Sequence, residues 1–179
     1  MNLRHLQGRG EGFTLVELLI VVIILSILAA IVVPQFASST TDAKYSTLDT
    51  NLGALRAATE VYYQQHGAYP SAVASSGGTP PTGGAAGTGA AASAQAFIDQ
   101  LTMYSNAAGQ TATNSDTNYK YGPYLKKGIP VEPISNSAAL EISTAGLLGM
   151  TATAGTNAGY KFDNKTGQLI ANTPSLQTR

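Results

Sequence analysis

The stretch Gly12-Phe13-Thr14-Leu15-Val16-Glu17 decides how this chain is organised, because the apolar run from Leu18 to Val33 follows it directly. No charged residue occurs between Leu18 and Thr41. A helix needs about 20 apolar residues to cross a hydrocarbon layer of about 30 Å, so we expect a membrane-spanning helix here. Glu17 stands near its start, and a carboxylate in such a position costs free energy unless it finds a partner.

The composition of the chain excludes several classes of function. Charged residues make up 11% of the 179 residues and the formal net charge is zero, which is unlike a nucleic-acid-binding protein. There is no cysteine, and the only histidines, His5 and His66, lie on opposite sides of the apolar run. No nucleophile and base, and no set of metal ligands, can be nominated from these residues. We therefore expect no enzyme activity, no cofactor, no metal site and no nucleic acid as the primary partner.

Residues 1–12 are predicted to be a leader peptide. They are polar, with Arg4 and Arg9 and three glycines that disfavour a helix. An ordinary secretory signal is the alternative, but such a signal is cut after its apolar core, and here the plausible junction precedes the core. The arginines favour a leader that stays in the cytoplasm.

The helix is expected to continue beyond its apolar half as far as about His66. Pro34 removes one backbone hydrogen bond and is predicted to bend the helix; the alternative is that the helix ends there. Beyond it, apolar and small side chains recur in steps of three and four residues, which predicts an amphipathic helix. They are Tyr45, Leu48, Leu52, Leu55, Thr59 and Tyr62. Gly67 and Pro70 provide the stop signal.

The remainder predicts a small head with an α+β fold. Residues 71–96 form a tract rich in glycine, alanine, serine and threonine, which predicts a flexible surface loop. A short helix is expected over 94–104 with Asp99 pointing outward, followed by a tyrosine-rich loop whose prolines forbid a central strand. A strand is expected at 140–142, and alternation around a turn predicts a terminal hairpin over 160–172. The sheet is predicted to be small and antiparallel.

Residues 12–22, Gly-Phe-Thr-Leu-Val-Glu-Leu-Leu-Ile-Val-Val, resemble the class III signal of type IV pilins and type II secretion pseudopilins. The resemblance implies cleavage between Gly12 and Phe13 by a membrane prepilin peptidase, followed by methylation of the new Phe13 amine. It also implies that Glu17 sets the assembly register and that the helix bends at Pro34. The tyrosine-rich segment 121–130 is similar to a loop of the major pseudopilin. No acidic calcium loop of the kind found in many major pseudopilins is evident.

These observations predict a structural subunit of a type IV pilus-like filament. Its partners would be other copies of the chain, the peptidase, an inner-membrane assembly platform and the membrane itself. It would span the inner membrane once before joining a surface pilus or a periplasmic pseudopilus. The alternatives are a type II secretion pseudopilin and a membrane-anchored binding protein that never polymerises. The predicted segments are the leader at 1–12, the transmembrane helix at 13–36, its amphipathic half at 37–66 and the head at 67–179.

Overall fold

A computed structural model describes residues 12–153, 155 and 159–176; the predicted leader lies outside them apart from Gly12. The first element is a helix, α1, over Leu15–His66. It continues through Pro34, so the alternative that the helix ends at this proline is wrong, whereas the bend stays a prediction. The chain divides into two compact units, one up to Ala43 and one from Lys44 onward.

The second half of α1 contributes one face to the core of the head. The predicted stripe is confirmed, because Leu48, Leu52, Leu55 and Tyr62 are each at most 1% exposed. Such a stripe recurs once per helical turn and buries apolar area without interrupting the polar faces. The helix ends where predicted, and Gly67, at φ +71°, donates its N–H to a carbonyl in the last turn.

The head contains one more α-helix, two small sheets and a short 3-10 helix among its described residues. In chain order the elements are α2 (Ala94–Thr102), β1 (Tyr104–Ser105), β2 (Thr111–Ala112), β3 (Leu140–Ser143), β4 (Tyr160–Asp163), β5 (Leu169–Ala171) and the 3-10 helix (Pro174–Leu176). β1 and β2 pair antiparallel, and the second sheet has the order β3-β4-β5. The α+β fold and the terminal β4–β5 hairpin are confirmed. The second sheet is mixed rather than antiparallel, because β3 runs parallel to β4.

The core lies between the buried stripe of α1, the helix α2 and the second sheet. Phe97 and Leu101 from α2 and Phe162 from β4 are fully buried in it. The rings of Phe97 and Phe162 meet edge to face with centroids 4.8 Å apart, a geometry that aromatic pairs prefer. The tyrosine-rich segment makes only isolated bridges, among them the pairing of Ser105 with Tyr121, as its prolines predicted.

The tract that follows Tyr69 differs from its prediction as a flexible surface loop, because hydrogen bonds fix it to α2. Asp99, predicted to point outward, is 5% exposed. Its carboxylate accepts hydrogen bonds from Ser75 Oγ at 2.7 Å and from Gly89 N at 3.2 Å. The neighbouring Gln100 accepts from Ser71 N at 2.6 Å. The tract buries little apolar surface, as predicted, but hydrogen bonds of buried polar side chains stabilise it in place of apolar packing.

Glycines in this tract are required by close packing. A Cβ atom at Gly87 would collide with the Thr111 hydroxyl, and one at Gly89 would collide with the Ala96 backbone. Gly87 also donates its N–H to the Thr111 carbonyl at 3.0 Å, which ties the tract to β2. The high glycine content therefore reflects a closely packed backbone in this part of the head.

Candidate functional site

The first turn of α1 is the candidate site, because it joins the predicted cleavage point to the apolar segment. Thr14 lies just before the helix, and its Oγ1 accepts a hydrogen bond from Glu17 N at 3.2 Å. Glu17 Oε2 reaches back and accepts from Thr14 N at 2.8 Å and from Thr14 Oγ1 at 2.7 Å. This reciprocal arrangement is a capping box, in which two backbone donors at a helix start are satisfied by side chains.

Sequence reasoning did not identify the role of Thr14. The signal was present, since threonine followed three residues later by glutamate and then by an apolar run is the sequence pattern of a capping box. Glu17 therefore has a local partner in the uncut chain. A carboxylate in the first turn also interacts favourably with the positive end of the helix dipole.

Gly12 and Phe13 precede the helix and are exposed. A Cβ atom at Gly12 would meet no other atom within 4 Å, and the Phe13 side chain is 83% exposed. The peptide bond between these residues thus lies in non-helical backbone that neighbouring described residues leave uncovered. An exposed peptide bond in non-helical backbone is accessible to an enzyme that cleaves it.

The apolar part of α1, Leu15–Val33, is long and apolar enough to cross a membrane, and none of it is buried within the protein. Its one polar side chain after Glu17, Ser26, donates its hydroxyl to the carbonyl of Val22 at 2.6 Å. The helix therefore satisfies its own polar groups, which hydrocarbon surroundings demand.

An aromatic cluster lies at the opposite end of α1. The His66 ring stacks on Tyr62 with centroids 4.0 Å apart and meets Tyr121 and Tyr124 edge to face. His66 Nε2 lies 3.1 Å from the Ser105 hydroxyl. Burial lowers the pKa of His66 below its ordinary value and outweighs hydrogen bonds to backbone groups, while burial raises the pKa of Tyr124 to about 12. Both rings are thus held neutral near pH 7, and the cluster packs the helix end against the tyrosine-rich loop.

Asp163 organises the terminal hairpin. Its carboxylate accepts hydrogen bonds from Ser143 Oγ at 2.8 Å, from Gly146 N at 3.0 Å and from the backbone of Lys165 and Thr166 at 3.0 and 2.9 Å. Burial alone would raise its pKa, but these hydrogen bonds outweigh burial and lower the pKa to about 2. Both carboxylate oxygens are engaged by donors of the protein.

Comparisons with known proteins also identify a motif at the N-terminal end of the chain, where the candidate site lies. Residues 9–33 match the family model described as the prokaryotic N-terminal methylation motif. The chain is 47% identical over 65 residues to the type II secretion system core protein G of Pseudomonas aeruginosa, covering 36% of this chain and 46% of that protein. It is 41% identical over 69 residues to the type IV major pilin protein PilA of Myxococcus xanthus, covering 38% of this chain and 31% of that pilin.

A third relative is the type IV narrow pilus major component PilA5 of Thermus thermophilus, with 46% identity over 50 residues, 28% of this chain and 43% of that protein. The chain thus spans less than half the length of each of these relatives. No solved structure matches the chain significantly.

The described residues thus combine a capped apolar helix, long and apolar enough to cross a membrane, with a small α+β head. Residues 9–33 thus carry the prokaryotic N-terminal methylation motif, and the chain is similar over part of its length both to type IV pilins and to a type II secretion core protein.

Proposed function

We propose that this chain is the structural subunit of a type IV pilus-like filament. It is made as a precursor anchored in the inner membrane, cut between Gly12 and Phe13 by a prepilin peptidase, methylated at Phe13 and polymerised through α1. The observation that carries the proposal is the position of Glu17, which lies one helical turn beyond the exposed junction and opens a wholly exposed apolar helix. The function is structural, and the partners are other copies, the peptidase and an assembly platform.

Cleavage changes the surroundings of Glu17. In the uncut chain its carboxylate is held by Thr14 alone among the described residues. The cut creates a charged amine at Phe13, which in a filament can meet the Glu17 carboxylate of a neighbouring copy. A buried pair of opposite charges specifies position along the filament axis, since apolar side chains can slide past one another at little cost. Pro34, which we propose bends the helix, would adjust how the apolar segments pack.

A second candidate is a type II secretion pseudopilin, favoured by the 47% identity to core protein G. The two candidates share processing and polymerisation and differ in where the filament lies. Cells expressing the full chain are sheared, filaments are pelleted and the N-terminus of the pelleted protein is sequenced. Sheared filaments that begin with methylated Phe13 support the pilus. Processed protein that stays in the cell envelope supports the pseudopilus. A chain that is never cut refutes both and leaves a membrane-anchored protein that does not polymerise.

Glu17 has two roles, as a negative charge and as part of the helix cap, and substitutions can separate them. Glu17→Gln keeps a residue that serves in a capping box but removes the charge, whereas Thr14→Ala removes the cap and keeps the charge. We expect Glu17→Gln to insert into the membrane and be processed but to form no filaments, and Thr14→Ala to form them at a modestly reduced yield. If Glu17→Gln forms filaments and Thr14→Ala does not, Glu17 acts only as a helix cap. Gly12→Leu serves as the unprocessed control.

A further inference from the structure

A cluster of polar side chains lies on one face of the second sheet. The strand register pairs Glu141 on β3 with Lys161 on β4, and paired positions share a face. Lys161 also lies opposite Ile170 on β5, and Asn172, which directly follows β5, is two positions further on and so shares that face. Phe162, the next residue after Lys161, belongs to the core, so the cluster lies on the face turned away from it.

One carboxylate in this cluster contacts both an amine and an amide. Glu141 Oε1 lies 3.3 Å from Lys161 Nζ, and Glu141 Oε2 accepts a hydrogen bond from Asn172 Nδ2 at 2.9 Å. The amide oxygen, Asn172 Oδ1, accepts from the backbone N–H of Thr153 at 2.7 Å. Asn172 is 1% exposed, so water has little access to its amide. The amide is therefore held at both its oxygen and its nitrogen, and the carboxylate that holds its nitrogen also contacts a lysine amine.

We propose that Lys161 and Asn172 become joined by an isopeptide bond between Nζ and Cγ, with Glu141 transferring the protons. The two joined residues are diagonal neighbours on adjoining antiparallel positions, a separation of about 7–8 Å that a long side chain spans. Holding both reactants on one scaffold replaces a collision in solution and favours a reaction that free side chains undergo far more slowly. The modification belongs to the folded head and does not require the assembly of a filament.

The reaction balances without an oxidant, a reductant or a co-reactant. The Lys161 ammonium gives one proton to Glu141 Oε1, and the neutral Nζ attacks the Cγ atom of Asn172. The negative charge that develops on Oδ1 is stabilised by the N–H of Thr153, which already donates to this oxygen. Glu141 then passes its proton to Nδ2, the Cγ–Nδ2 bond breaks and the Nζ–Cγ amide remains. Of the ammonium protons, one stays on the new amide nitrogen and the others leave with Nδ2 as ammonium, so charge is conserved.

The ionisation of Glu141 in the fold suits the first of these steps. Burial alone would raise the pKa of Glu141. Hydrogen bonds from Thr153 and Asn172, together with the positive charge of Lys161, outweigh burial and lower the pKa. The carboxylate is therefore ionised near pH 7 and can accept a proton from the amine that it contacts. Because lysine holds its proton more tightly than a carboxylate does, this transfer is unfavourable, and the bond should form slowly after the chain has folded.

The intact mass of the protein measures this reaction directly, because the bond forms with the loss of ammonia. The full chain is purified in detergent, and its mass is determined at once and again after a day's incubation at room temperature. We expect a mass about 17 Da below that of the sequence, once N-terminal cleavage and methylation are accounted for. Proteolysis of the same sample should yield a pair of peptides joined through Lys161 and Asn172.

Three variants separate the roles within the cluster. Lys161→Arg keeps the positive charge but cannot be deprotonated to act as a nucleophile, so it should keep the full mass. Glu141→Gln removes the proton acceptor and should slow the loss of ammonia about 100-fold or more. The matched control is Lys165→Arg, which changes a lysine in the turn of the terminal hairpin, outside the cluster. This control should lose ammonia as the natural chain does.

Two outcomes would overturn the proposal. A natural chain that keeps its full mass after incubation identifies the contact of Lys161 with Glu141 as a permanent ion pair. A loss of ammonia that persists in Lys161→Arg shows that Asn172 has cyclised onto its own backbone instead. The joined peptide pair is sought in the natural chain, so this readout holds even where a variant is unstable. Neither measurement depends on whether the chain forms filaments.

Discussion

Replacing Asp99 by alanine should release the tract at residues 71–93 from α2. In the natural chain the Asp99 carboxylate accepts hydrogen bonds from the side chains of Ser75 and Gln95 and from the backbone N–H groups of Thr88 and Gly89. Gly89 N also donates to Ser75 Oγ at 2.8 Å, so one substitution disturbs a small network. The tract has few apolar contacts to compensate, and its order depends on these polar groups.

The expected loss in the free energy of unfolding depends on which of these hydrogen bonds are buried. Gln95 and Thr88 are exposed, so water can replace their bonds, whereas Ser75 and Gly89 are buried. Each buried hydrogen bond to a charged group contributes about 1.5–3 kcal/mol. Removing a buried carboxylate also removes its desolvation cost, which offsets part of the loss. We therefore expect Asp99→Ala to reduce the free energy of unfolding by about 2–4 kcal/mol. Asp99→Asn, which keeps one acceptor oxygen, should reduce it by about 1 kcal/mol.

The assay uses the full chain in detergent, with urea unfolding followed through the tyrosine signal, since the chain has nine tyrosines and no tryptophan. A loss of about 3 kcal/mol moves the midpoint by about 1–3 M urea. Elastase, which cleaves after small residues, should cut the alanine variant within 71–93 sooner than it cuts the asparagine variant. Equal midpoints and equal cleavage for both variants and the natural chain would refute the argument that this carboxylate holds the tract.

Two further predictions concern the backbone and the pH dependence of the head. Gly109 has φ +81°, and Gly109→Ala places a Cβ atom 2.8 Å from the buried hydroxyl of Tyr62, so this variant should lower the urea midpoint. Gly53→Ala, in open space on α1, should raise the free energy of unfolding by about 0.5–1 kcal/mol. A lower midpoint for both variants would contradict this. The Asp163 pKa falls from 3.8 in the unfolded chain to about 2 in the fold, so its stabilising contribution is complete above pH 4 and is lost as the pH falls towards 2. Asp163→Asn should flatten that part of the pH profile, and an identical profile would show that other groups cause the loss.

The sequence predicted α1 and the hairpin well because both depend on local periodicity. The stripe through Leu48, Leu52 and Tyr62 follows from spacing alone, and the hairpin follows from alternation around a turn. The candidate site was predicted only in part. Glu17 stood out against the apolar run, but its partner Thr14 was overlooked although the capping pattern is equally local.

The fixed tract at 71–93 could not be predicted, because its order comes from residues distant in the sequence. Ser75 and Asp99 are separated by 24 positions, and Ser71 and Gln100 by 29. An aspartate or glutamine on a short helix is ordinarily a solvated residue, so the pattern favoured an outward position for Asp99. Only the folded chain shows that the polar face of α2 is covered by the glycine-rich tract.

The mixed sheet explains why the connection between β3 and β4 is long. Antiparallel neighbours can be joined by a tight turn, as β4 and β5 are, but parallel neighbours require a connection that returns to the starting end of the sheet. The β3–β4 connection, residues 144–159, must therefore be long, and its anchored part places Leu147 and Leu148 at the surface. The pairing direction that the sequence did not predict thus accounts for a long connection, which backbone N–H groups of Gly146, Met150 and Thr153 tie to side chains at the terminal hairpin.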